Sequence, residues 1–303
     1  MALSLFSLSF TEARSRYIER ATRTGWDVES HRRDDQSPTD ELWTDVARIG
    51  ALDPERVFLI SSGLHGVEGY LGSAIQLALL DSIPALIESQ PNVAVILVHA
   101  VNPYGFHHNR RFDEANVDLN RNFLPSGDSF SGCPHLYRRL NRFLNPTRPE
   151  AWEIPFRLQA AAVVLRYGLA PLKQAIASGQ YEFPQGLFFG GSGPASTYRF
   201  WKRHWPTWCG SAGAVVHFDV HTGLGGKRDV RFLWDFNLAT AETEWLAASF
   251  PTTFERPEAR PSSGYHARGS INRWCRLAMP SQQVLSFCLE FGTYDPVTVL
   301  RAL

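Results

Sequence analysis

The sequence predicts an α/β fold held in a single domain, and three observations carry that expectation. Two short β-branched apolar runs, Val57-Phe58-Leu59-Ile60 and residues 93–98, are bounded by turn residues, as buried strands are. Between them, Leu71, Ala74, Ile75, Ala78 and Leu79 recur at helical spacing. A strand, a helix and a strand in that order make a parallel pair with a right-handed crossover. No internal repeat, low-complexity tract or linker divides the 303 residues, so 1–303 reads as one unit.

The elements follow in chain order. Residues 11–24, rich in Arg, Glu and Ala and closed by Gly25, predict a helix. The charged stretch 27–40, with Ser37-Pro38, reads as a loop. Pro54 and the Ser61-Ser62-Gly63 turn bound the first strand, residues 69–83 form the crossover helix, and Pro91-Asn92 introduces the second strand. Residues 125–206 are long, with helical pieces at 138–144 and 157–178 and a turn-rich stretch at 183–191. Later strands are expected at 215–220, 230–234 and 284–291.

An apolar share of 44% with 13% aromatics suffices for a packed core and argues against disorder. Lys+Arg and Asp+Glu both total 30, which leaves no basic footprint for nucleic acid. No run approaches the roughly 18 apolar residues that span a membrane, so neither partner is expected. The mildly apolar start lacks a basic flank, and Thr11-Glu12-Ala13-Arg14 places charge where a signal peptide would be cleaved. It reads as the first element of the domain. Four scattered cysteines without a CxxC pair suit a reducing, cytoplasmic setting.

The chemistry begins at Gly63-Leu64-His65-Gly66-Val67-Glu68-Gly69, directly after the first strand. Ligands of open α/β sheets bind beyond the carboxyl ends of strands, and imidazole and carboxylate both suit zinc. Alone, a His and Glu three apart is a common accident. A catalytic zinc wants a third ligand at another strand end, and His221, ahead of Thr222-Gly223, stands at one. His217 falls within the same strand and reads as a packed or hydrogen-bonded core histidine. His99 also follows a strand but has no acidic neighbour, and adjacent His107 and His108, if extended, would point in opposite directions. Arg110-Arg111 and Asp118-Leu119-Asn120-Arg121-Asn122-Phe123 follow the second strand. Taken singly such arginines pair on the surface, but clustered beyond a strand end they suggest an anion pocket. Glu290 interrupts the last apolar strand, where a carboxylate is costly unless paired or functional. It could pair with an arginine or act as a general base.

In combination these motifs resemble the zinc carboxypeptidase superfamily, which includes the aspartoacylase and succinylglutamate desuccinylase branch. The nearest likeness is to a bacterial domain-of-unknown-function branch. It shares GLHGVEG, NPYGF, NVDLNRNF, GLFFGG, DVHTGLG and EFGT, over roughly Phe10 to Leu303. The resemblance implies a central, mostly parallel but mixed twisted sheet flanked by helices, holding one zinc ion per chain. His65, Glu68 and His221 match the zinc ligands, and Asp118 the carboxylate that orients the first histidine. Arg111 matches the arginine that polarises the scissile carbonyl, Asn120 and Arg121 the pair that grips a free carboxylate, and Glu290 the general base. The implied activity is hydrolysis of an amide next to a carboxylate, in a peptide or an N-acyl amino acid. The alternative is an inactive ligand- or peptide-binding protein on the same fold. Three departures stand beside it. The substrate-closing tyrosine has no aligned motif, with Tyr265 and Tyr294 as candidates; Gly225-Gly226-Lys227-Arg228 is more basic than the pattern; and the further helix with which relatives continue after EFGT is expected to be lacking here.

Overall fold

The structure, a computed structural model, describes residues 5–33, 37, 39–146, 153–223, 226, 229–234, 236–250 and 266–293. Helix α1 (Phe10–Arg23) opens the chain, with the Ser9 side chain accepting from the Glu12 amide as its N-cap. Its stripe of Phe10, Ala13, Tyr17 and Ala21 is buried. Strands β1 (Asp27–Arg32), β2 (Trp43–Gly50) and β3 (Arg56–Ser62) follow, then α2 (Gly69–Ile87), β4 (Val93–His99) and the short α3 (Pro103–His107). The long middle stretch holds α4 (His135–Leu144), α5 (Glu153–Tyr167), α6 (Leu169–Ala177) and α7 (Ser196–Cys209). Strands β5 (Ala214–Thr222) and β6 (Val230–Leu233), helices α8 (Thr240–Ser249) and α9 (Ile271–Ala278), and strand β7 (Gln283–Phe291) complete the described chain.

One seven-stranded sheet runs in the order β1-β2-β4-β3-β5-β7-β6. The four central strands β4, β3, β5 and β7 are parallel, and β1, β2 and β6 join antiparallel at the flanks. The two faces carry separate cores. On one, Trp201, Trp205 and Trp208 of α7 and Trp274 of α9 pack on Val57, Leu59, Ile96 and Val215. On the other, Tyr17 of α1 and Leu77 and Leu80 of α2 pack on Ile60, Leu97, Phe218 and Phe287. Central strands covered on both faces read as near-continuous apolar runs, unbroken in β3 and β4 and interrupted by His217 and Asp219 in β5 and by Ser286 and Glu290 in β7, which is why these four are legible in the sequence.

The stretch expected to be a loop at 27–40 begins instead as β1, paired residue for residue with β2. As an edge strand whose side chains are mostly exposed or half-exposed, Asp-Val-Glu-Ser-His-Arg carries no apolar signature. Strand β2 is hidden by Asp45, which is fully buried because Arg14 of α1 binds it with a fork at 2.9 and 3.1 Å. Helix α2 runs past Pro84, where a break is expected. Pro84 has no N–H for the carbonyl of Leu80, and the indole Nε1 of Trp26 donates to that carbonyl at 3.2 Å. Contrary to the expectation that no run approaches the length of a membrane span, residues Gly66–Ile87 are long and apolar enough by composition to cross a membrane; Leu77, Leu80 and Ile83 of this stretch are buried in the core.

Candidate metal centre

Strand β3 delivers the first two candidates. After Ser62 the chain turns at Gly63, whose φ of +72° suits glycine, and a 3-10 turn spans Gly66–Glu68. A side chain at residue 66 would meet the Gly105 carbonyl carbon at 2.0 Å, so only glycine lets α3 lie against this turn. The amides of Gly66 and Val67 donate to the carbonyls of Arg111 and Arg110, which ties the arginine segment to the same turn.

His65, Glu68 and His221 come together, all three buried, with ligand atoms within 4.8 Å of one another. Their Nδ1 atoms face: His65 Nδ1 lies 2.9 Å from Glu68 Oε1, His221 Nδ1 lies 3.1 Å from Glu68 Oε2, and the two Nδ1 atoms are 3.1 Å apart. Each outer nitrogen meets its own carboxylate, His65 Nε2 at 3.2 Å from Asp118 Oδ1 and His221 Nε2 at 2.6 Å from Asp219 Oδ2. Burial would raise Glu68, but His65 and His221 outweigh it and hold the carboxyl well below its usual range. Burial opposes ionisation of Asp118 too, and Arg111, His65 and Arg121 overcome it. Burial would lower His221, yet Asp219 and Glu68 raise it well above the ordinary value. Two imidazoles and a carboxylate, aimed at one point and backed by carboxylates, are the donor set zinc takes.

Arg111 joins the site. Its Nε and Nη2 both donate to Asp118 Oδ2 at 3.1 Å, and Nη1 to Glu68 Oε1 at 3.4 Å. Arg121 is buried with Nε donating to the Ala177 carbonyl and Nη1 to that of Asn120. Asn120 Oδ1 accepts from the Ile271 amide at 3.1 Å. Phe188, from the GLFFGG stretch, has both guanidinium groups 5.5 Å from its ring centre, an arrangement the sequence reading missed. Glu290 is buried in β7 in register opposite His221, and Cys288 Sγ donates to its Oε2 at 3.4 Å. A ligand atom of Glu290 falls within 4.8 Å of His221.

Asp219 was also missed. The signal was available, since strand alternation puts a residue two positions before His221 on the same face. His217 is the core histidine expected, bonded to Ser61 and Ser286 and flanked by Trp201 and Trp205. His99 stays away from the centre, stacked on Tyr17 at 4.7 Å with Nε2 at 3.1 Å from Ser73. His107 and His108 end a helix rather than an extended segment, so their rings lie 4.8 Å apart and group with Asp40. Tyr265, Tyr294, most of the 225–228 loop and the chain after 293 lie outside the described residues.

This architecture is the metallocarboxypeptidase fold. Carboxypeptidase A from Helicoverpa armigera superposes with a TM-score of 0.55 at 13% identity, over 95% of this chain and 65% of that one. This chain thus spans just under two thirds of that protein's length. Thrombin activatable fibrinolysis inhibitor gives a TM-score of 0.53 at 12% identity, over 97% of this chain and 69% of that one. By sequence, residues 6–303 match the family described as "Protein of unknown function (DUF2817)", and the chain belongs to it. No curated protein sequence matches it.

Proposed function

We propose that the protein is a zinc-dependent hydrolase, with one ion per chain held by His65, Glu68 and His221. It cleaves an amide next to a free carboxylate, as a carboxypeptidase or an N-acyl amino acid deacylase. The observation that carries this reading is the convergence of three buried donors, each imidazole turned by its own carboxylate. When bound, zinc supplies Lewis acidity and a water acidic enough to ionise near neutral pH. Glu290 takes the proton from the attacking water and hands it to the leaving nitrogen. Arg111, oriented by Asp118, donates to the carbonyl oxygen as charge develops on it. Asn120 and Arg121 hold the substrate carboxylate, with Arg121 steadied by the two carbonyls it already binds. A cytoplasmic location is part of the same proposal.

The test is elemental mass spectrometry of wild type and His65→Ala, followed by assays on peptides and N-acyl amino acids with Glu290→Gln as control. About one zinc per wild-type chain, lost in the variant, together with hydrolysis that Glu290→Gln abolishes, is the expected result. Zinc without turnover on either substrate class would favour a binding protein. No metal after refolding with zinc would overturn the reading.

A further inference from the structure

Behind His221 and its partner Asp219 runs a buried line of polar side chains, Ser61, His217, Ser286 and Asn272, that the proposed chemistry does not use. Asn272 Nδ2 donates to Ser286 Oγ at 3.0 Å, and Ser286 Oγ lies 2.8 Å from His217 Nδ1. His217 Nε2 lies 2.8 Å from Ser61 Oγ, which donates to Asp219 Oδ1 at 2.5 Å. Asp219 Oδ2 meets His221 Nε2. The line crosses β7, β5 and β3, the three strands that deliver Glu290, His221 and the His65–Glu68 turn, and α9 anchors its far end. Every member is buried.

Counting protons fixes its direction. Ser61 has one hydroxyl proton and gives it to Asp219, so it must accept from His217, whose proton therefore sits on Nε2. Burial pushes His217 down to about 4, so the ring is neutral and its Nδ1 can only accept. Ser286 then donates to Nδ1 and accepts from Asn272. All the donors point the same way, toward Asp219. A carboxylate fed this way on Oδ1 presents an anionic Oδ2 to His221, which keeps a proton on Nε2 and turns Nδ1 to the centre.

We infer that His217, acting through Ser61, is a positioning residue for His221, and that this proton-ordered line sets which nitrogen of His221 is offered to the metal. The inference deepens the zinc reading and rests on it for the identity of the ligand. Trp201 and Trp205, with ring centres 5.6 and 5.5 Å from that of His217, hold the imidazole in place so that it cannot swing out of the line.

The test uses Ser61→Ala, which removes only a hydroxyl, His217→Phe, which keeps a ring without a proton to give, and His217→Gln, which restores a donor toward Ser61. Zinc affinity is read by chelator competition. The His221 Nε2–H resonance, assigned by its loss in His221→Asn, is read by NMR in metal-free protein. Ser61→Ala and His217→Phe are expected to weaken zinc about 10- to 100-fold and to move that resonance upfield, with His217→Gln restoring most of both. Folded Ser61→Ala with wild-type zinc affinity and an unmoved resonance would overturn the inference, and it serves alone if His217→Phe does not fold. Should wild type bind no zinc, the hydrolase reading fails, and the metal-free resonance still decides whether the line orders His221.

Discussion

His221 and Glu290 are register partners on the adjacent parallel strands β5 and β7. Their side chains therefore rise from one face of the sheet at neighbouring points, one toward the candidate metal position and one beside it. That geometry separates holding a metal from moving a proton. Glu290→Gln keeps the size and burial of the side chain while removing its basicity. It is expected to retain wild-type zinc content and to lower kcat/KM about 10²- to 10⁴-fold, measured by stopped assay alongside metal analysis. Loss of metal in this variant would instead place Glu290 among the ligands.

Asp118 serves two partners, accepting from Arg111 on Oδ2 and meeting His65 on Oδ1. Asp118→Asn should weaken zinc about 10- to 100-fold by freeing the first histidine. Arg111→Lys keeps the charge but not the fork, and is expected to hold zinc normally while losing about 10²-fold in kcat. If the two variants affected metal affinity equally, Arg111 would be acting on the ligands rather than on substrate.

Acid should weaken the fold through His99. Burial holds its ring at about 4, below the value of about 6.5 in an unfolded chain. Between those values the unfolded state binds more protons, so stability is full above about 6.5 and falls as pH drops toward 4. His99→Phe removes one such group. Urea unfolding at pH 6.5 and 4.5 should show the variant losing about 2 kcal/mol less than wild type over that interval. Parallel losses would mean that the folded ring titrates normally.

Trp26 compensates for a proline in another element. Trp26→Phe keeps most of the packing but leaves the Leu80 carbonyl without its indole donor. A destabilisation of about 1–3 kcal/mol is expected in chemical denaturation. Combining it with Pro84→Ala, which restores an N–H in the helix, should recover part of the loss.

The sequence was most readable where the physics is local. Strands β3 and β4 are buried on both faces and display unbroken apolar runs, β5 and β7 keep apolar runs broken by buried polar residues, and helix α1 is marked by its Arg, Glu and Ala content and by Gly25. Strands β1 and β2 were lost because one is an exposed edge and the other hides a buried Asp45 whose partner, Arg14, lies 31 residues away. The candidate ligands stood out as polar residues at strand ends. Asp219 did not, since its meaning comes from a neighbour two positions on and from Ser61, which only the paired sheet brings near. Phe188 gave no local signal, because what matters there is two arginines folded against one ring.

The two candidate histidine ligands are separated by 156 positions in the chain. A zinc ion joining them would close a loop of that length, and a cross-link is worth more in theory the longer the loop it closes. Loading would then stabilise the folded chain, since the three donors converge only where the middle of the sheet is assembled. The long excursion from α4 to α7 would hang from this clasp, so a backbone cut within it would leave two pieces still fastened at the metal and along β3 and β5.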